Sequence, residues 1–323
     1  MKVFANFSPW FSQTVQEILT ININLFKLMI PIIIIVKIIE ELGGIHYISM
    51  ALEPLMALVG LPASTGLVWA TTMIVNIYGG MIVLITLPTQ EPLTIAQVTV
   101  LGGMMLIAHA LPIEVRIAQK AGIRVLFTLL LRIGGALLMG IILHQIYTIG
   151  DFLNQPTNAL WDPQIITNDT LLAWSIAQLK ILGQVFVIIS VLVVFLKLLK
   201  LSSIEKLLII LLKPLLKVLG LSEKTTSITI VGITLGLTYG GGLLINEAKQ
   251  RSISKIDIFG SLSLLALCHS LIEDTLLIML LGSDITGILY FRLLFSFIVM
   301  MMIIHWVKSL KQRVFERHFV YPS

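Results

Sequence analysis

The chain has 323 residues, of which 57% are hydrophobic and only 12% charged, and its mean hydropathy is +0.99. Soluble domains carry roughly 25% charged residues, so this composition excludes an ordinary water-solvated globule and makes lipid the solvent of most of the chain. The net charge of +5 reports topology before it reports an anionic partner, because basic residues of membrane proteins gather on the cytoplasmic side; nucleic-acid binding is not expected.

Read from the amino terminus, the first apolar run follows an aromatic segment, Phe4 to Phe11. It lacks the short core and small-residue cleavage site of a removable leader. It should stay as a spanning helix over about residues 20–41, since a span needs ~20 apolar residues. An amphipathic interfacial helix follows over 45–60. The next apolar stretch, Pro62 to Pro92, centres on Asn76-Ile77-Tyr78-Gly79-Gly80 and has no basic residue at either end. A long helix over 93–121 contains Pro112, which should break it, and a last span covers 122–147. A linker, Asp151 to Thr170, carries two prolines, three asparagines and no basic residue. The order then recurs: a span over 172–200, an interfacial helix over 203–220, an apolar stretch from Thr225 to Lys249 centred on Thr238-Tyr239-Gly240-Gly241-Gly242, a long helix over 254–283 and a last span over 284–308.

The recurrence is more than apolar likeness. A shift of 160 places Leu52, Pro54 and Leu55 on Leu212, Pro214 and Leu215, Gly60 on Gly220, His109 on His269, Glu114 on Asp274, Gly122 on Gly282 and Arg132 on Arg292. Rare polar residues and glycines matching in order at nearly constant spacing indicate an internal duplication, with repeats at 1–150 and 171–323 joined by the linker 151–170.

Basic residues give the orientation. From Ile38 to Val115 there is no Lys or Arg, whereas the equivalent stretch of the second half carries Lys200, Lys206, Lys213, Lys217, Lys224, Lys249, Arg251 and Lys255. The positive-inside rule reads this as opposite orientation of the halves. Lys27, Lys37 and Lys180 depart from the pattern, and their long stems suit snorkelling. An inverted repeat needs an odd number of crossings, yet each half offers four apolar segments. One must enter and leave on the same side, and the glycine-centred segments, free to turn sharply, are expected to be re-entrant hairpins whose tips face an interior cavity. Both termini then lie in the cytoplasm, and the expected location is the inner membrane.

The chemistry concentrates in His109-Ala110-Leu111-Pro112-Ile113-Glu114 and His269-Ser270-Leu271-Ile272-Glu273-Asp274. Ionisable groups at that depth are costly and mark a pathway, a proton relay or a substrate contact; the alternative is a structural pairing of His109 and Glu114 with each other or with Arg116. Arg132 and Arg292 fit either anion binding or neutralisation of Glu114 and Asp274. Asn76, Tyr78, Gly79 and Gly80, with Thr238, Tyr239, Gly240 and Gly241, either offer hydrogen bonds to a ligand or satisfy open backbone. The spacing from His269 to Asp274 also fits that of some acyltransferases, but no acceptor motif accompanies it and no enzyme is expected. With one cysteine, Cys268, and no His-Glu-x-x-His or phosphate loop, no metal or cofactor is expected either.

The Leu52-Glu53-Pro54 to Gly60-Leu61-Pro62 opening, the Tyr78-Gly79-Gly80 segment and the His109 to Glu114 break, each repeated in the second half, resemble the nucleoside recognition, or Gate, domain proteins. That group includes spore maturation protein homologues and is similar to the concentrative nucleoside transporters. The resemblance implies an elevator-like carrier with two hairpins and two broken helices around one site. The expectation is thus a secondary transporter of a small polar or anionic solute, with H+ or Na+ as coupling ion. The partners are a small-molecule substrate and the bilayer, and a homo-oligomer is compatible with the sequence. Readings of a different class are a membrane scaffold that moves no solute and a lipid translocator.

Overall fold

A computed structural model describes residues 7–86, 92–161, 170–201, 204–250 and 252–321, and every regular element among them is helical. In chain order these are α1 (Phe7–Glu41), α2 (Gly44–Leu58), α3 (Thr65–Ile74), α4 (Ile77–Thr86), α5 (Ile95–Ile107), α6 (Leu111–Lys120) and α7 (Val125–Gly150). The second half gives α8 (Leu171–Leu201), α9 (Ile204–Val218), α10 (Glu223–Leu235), α11 (Leu237–Gln250), α12 (Lys255–Leu267), α13 (Glu273–Met279), a π turn (Thr286–Phe291), α14 (Arg292–Ser309) and α15 (Gln312–His318). Five helical stretches among the described residues are long and apolar enough to cross a membrane: Phe11–Glu41, Ile95–Lys120, Val125–Gly150, Leu171–Leu198 and Thr286–Ser309. The protein is a multi-pass, all-helical membrane protein. The first span begins well before residue 20, where it was expected, because the helix runs on through polar residues such as Gln13 and Glu17 that hydropathy alone passes over.

Compactness divides the chain across the two sequence repeats. One unit comprises 1–42 and 162–206, the other 43–161 and 207–323. In the first, α1 and α8 pack along Met29, Ile33, Ile181, Val185 and Ile189, all buried. Lys197 Nζ reaches Glu17 Oε2 at 2.6 Å and Thr14 Oγ1 at 3.0 Å. Ile34, Ile38, Val187 and Val191 stay exposed, as faces solvated by lipid do.

The second unit holds the hairpins and broken helices. Helices α3 and α4 pack as two arms of a hairpin, and so do α10 and α11. Each ten-residue arm of the first is about 15 Å long, at 1.5 Å per residue, half of a ~30 Å hydrocarbon core. The reversals are not where the glycine runs suggested. The first falls at Val75 and Asn76, where Asn76 Oδ1 accepts from the Gly79 amide at 2.9 Å. The second falls at Gly236, with φ of 95°, a conformation that side-chain-bearing residues avoid. Gly79, Gly80, Gly240 and Gly241 lie instead within the second arms. Their missing side chains serve packing: a Cβ on Gly80 would overlap the Thr72 hydroxyl, and one on Gly240 would overlap the backbone of Gly232.

Helices α5 and α6 form one long helix broken at Ala108 to Ala110, and α12 and α13 form another broken at Cys268 to Ile272. Pro112 is not itself the interruption; it occupies the first turn of α6, where its missing amide costs nothing. Both breaks use a non-glycine residue in the left-handed region, Ala110 at φ 47° and Ser270 at φ 46°. Each is bonded to its hairpin, Ala110 N donating to Thr72 O at 3.0 Å and Leu271 N to Ile233 O at 2.9 Å.

The broken helices run in opposite directions. At one end the start of α5 meets the chain that follows α13: Ser283 Oγ donates to Val98 O at 3.1 Å and Asp284 N to Thr99 Oγ1 at 2.8 Å. At the other, Lys120 to Ile123 share a cleft with Ile253, Lys255 and Ile258. A strap closes each end. The segment after α7 donates from Thr157 N to Leu93 O (2.9 Å) and from Trp161 N to Leu280 O (3.1 Å), and accepts from Ile95 N at Gln155 O (3.0 Å). The segment after α14 donates from Tyr321 N to Gly122 O (2.7 Å) and accepts from Arg124 N at Phe319 O (2.9 Å). Phe127, Phe259, Phe315 and Phe319 pack as an aromatic cluster beneath it.

Candidate functional site at the two helix breaks

Each break leaves carbonyl groups of its first half-helix without amide partners, and the sequence supplies the same two remedies twice. His109 Nδ1 donates to Met105 O at 3.0 Å and His269 Nδ1 to Leu265 O at 2.6 Å. Arg132 Nε donates to Ile107 O at 2.7 Å and Arg292 Nε to Leu267 O at 3.3 Å. A cation at the carboxyl end of a helix is favoured by the helix dipole as well as by the hydrogen bond. Both arginines are fully buried, and His109, His269, Glu114 and Asp274 are nearly so.

With both Nδ1 atoms turned to carbonyls, both Nε2 atoms point inward. They lie 3.0 Å apart, and Glu114 Oε1 is 3.2 Å from each. The second oxygen of Glu114 accepts from Arg132 Nη1. Asp274 Oδ2 is 3.7 Å from His109 Nε2 and has no hydrogen-bond partner among the described residues. The two halves differ here. Arg132 holds a carboxylate, while Arg292 Nη2 donates to His269 O at 2.8 Å, so the expected alternative of an Arg292–Asp274 pair is replaced by backbone contacts. Arg116 takes no part, since it is exposed and bonds Gln119. Arg132 Nη2 and Arg292 Nη1 remain buried donors without partners among the described residues.

The other sequence candidates sit nearby in the fold. Glu273 is half-buried at the start of α13 beside Asp274. Asn76 caps the hairpin reversal, and Tyr78 is half-buried at the start of α4. A Cβ on Gly241 would overlap the Ile117 side chain, so α11 lies closely on α6. Thr238 and Tyr239 fall in α11, but their side chains lie outside the described residues. Free backbone groups at the half-helix ends are what broken helices lead one to expect, but the sequence could not name the ones used here: the carbonyls of Met105, Ile107, Leu265 and Leu267, which aim the histidines and arginines. The only signal for them was the break itself.

No family model matches the chain. It is similar to the uncharacterized membrane protein YvoD of Bacillus subtilis (strain 168), with 26% identity over 294 residues that span 89% of this chain and 92% of YvoD. No solved structure matches.

Proposed function

We propose that the protein is a secondary transporter of a small anionic or polar solute, built as two inverted repeats of Gate-like type and working by an elevator-like movement. The observation that carries this reading is the buried meeting of two broken helices, each braced by a hairpin, at a cluster of two histidines, two carboxylates and two arginines. A structural ion pair needs no such duplication. Two guanidinium nitrogens without partners among the described residues suit an anion, which arginine recognises through directed N–H donors. The opposite run of the broken helices supports the inverted arrangement, and the alternation of basic residues supports cytoplasmic termini in an inner membrane. Half-helix ends converging on one point are the form in which carriers bind solute at membrane depth.

The test is ligand-dependent stability followed by uptake. A panel of small carboxylates, phosphorylated metabolites and nucleosides is screened against the detergent-purified protein, where a ligand at a hundred times its Kd stabilises by about 2.7 kcal/mol. The expected result is a rise in melting temperature with at least one solute, and accumulation of that solute in proteoliposomes. No response to any member of the panel would favour the scaffold reading.

A further inference from the structure

Three ligand-type atoms converge, and with both rings neutral none of the three is a donor. Met105 O and Leu265 O can only accept, so each facing Nδ1 carries the ring proton of its neutral histidine, and each Nε2 presents a lone pair. These lone pairs face one another across 3.0 Å, with Glu114 Oε1 at 3.2 Å from both. Such an arrangement repels itself unless something positive sits in the middle.

We propose that His109, His269 and Glu114, with Asp274 as a fourth ligand, form a binding site for one divalent first-row transition-metal ion. An ion bound at the ~2.1 Å typical of imidazole and carboxylate ligands separates adjacent ligand atoms by about 3.0–3.4 Å at angles between about 90° and 109°. The three separations among His109, His269 and Glu114 fall in that range, while Asp274 Oδ2, at 3.7 Å from His109 Nε2, lies just beyond it. His109, His269 and Asp274 each bring a ligand atom within 4.8 Å of the others. The outer contacts are also those that a metal site uses. Ligating histidines donate their other nitrogen to a carbonyl or carboxylate, which fixes the ring, and both do so here. Glu114 is oriented through its other oxygen by Arg132. Asp274 Oδ2, buried and without a partner among the described residues, supplies further negative charge.

Charge explains why both chemistries share the place. Glu114 and Asp274 offset Arg132 and Arg292, so a divalent ion adds two charges that an anionic solute on the free arginine donors would balance. This last step rests on the proposed transport of an anion; the metal site does not, because it is measured in detergent with no solute present. The motif was invisible in sequence because the two histidines come from segments 160 residues apart.

The full chain, purified in detergent and stripped with chelator, is titrated with Co2+ and read by visible absorption, with Zn2+ competition and elemental analysis. The expected result is one ion per chain, bands of nitrogen and oxygen ligation, and at least a 100-fold loss of affinity in His109→Ala and in His269→Ala. Each variant is checked for an unchanged elution position, and Cys268→Ser should bind like the parent. A parent protein that takes up no ion, as two histidines sharing a proton would require, overturns the proposal whatever the variants do. So does binding that survives both histidine substitutions, or a thiolate charge-transfer band that places the ion on Cys268.

Discussion

A buried arginine needs partners for its charge and its N–H groups, and Arg132, with no exposed surface, has Glu114 as its carboxylate partner. Glu114→Gln should therefore cost about 3–5 kcal/mol, the range for breaking a buried pair by removing one partner, read as loss of melting temperature in detergent. Arg132→Met in the same chain should add less than its single effect, because the charge left stranded by the first change is gone. Arg292→Met should cost less than Arg132→Met, since Arg292 bonds carbonyls of residues 267 and 269 and strands no carboxylate hydrogen bond. The histidines and acids of this cluster were legible in the sequence as rare ionisable residues recurring at one spacing. That His109 touches His269 was not, because proximity across the repeats follows from how the broken helices cross. The backbone acceptors were illegible for a plainer reason: a carbonyl belongs to every residue, and only the geometry of the break selects four of them.

At the scale of elements, the glycine runs marked the hairpins correctly and for a different physical reason than backbone freedom. Gly80 and Gly240 are helical, and what they provide is room between arms. Gly80→Ala should destabilise by about 1–3 kcal/mol, as overpacking does, and Thr72→Ala should recover much of that by removing the hydroxyl in the way. No such rescue exists for Gly240→Ala, whose obstacle is backbone, so its loss should be the larger; thermal unfolding of these three variants checks both statements. The break in the first broken helix was legible through Pro112, but the second break has no proline. There the strained Ser270 backbone is held by the bond from Leu271 N to Ile233 O, a tertiary contact that no local pattern encodes.

For the molecule as a whole, hydropathy made most of the spans readable, since lipid imposes a length and a polarity that few other environments do. Three per half were expected, and among the described residues five are long and apolar enough, the broken helix of the second half not being one of them. The inverted arrangement has a direct test. Pro62 and Ser222 are exposed, equivalent positions at the entrances of the two hairpins. In a Cys268→Ser background, Pro62→Cys should react with a membrane-impermeant thiol reagent from outside intact cells, and Ser222→Cys only after the membrane is opened. Labelling of both from one side would remove the inversion. The compact units were not readable, because packing joins segments from both repeats, and the first strap was read as linker, since prolines and asparagines signal irregular chain without saying what it is tied to.

Those straps limit how the protein can move. One fastens Leu93 and Ile95 to the neighbourhood of Leu280; the other holds Gly122 and Arg124 at the opposite end. Two antiparallel rods tied by backbone bonds at one tip, and at the other by the Lys255–Glu316 ion pair and the Phe259–Phe319 ring contact, cannot slide lengthwise past each other without breaking one set of ties or the other. The pair behaves as a single plank, so the proposed transport would have to carry the buried cluster and the plank together.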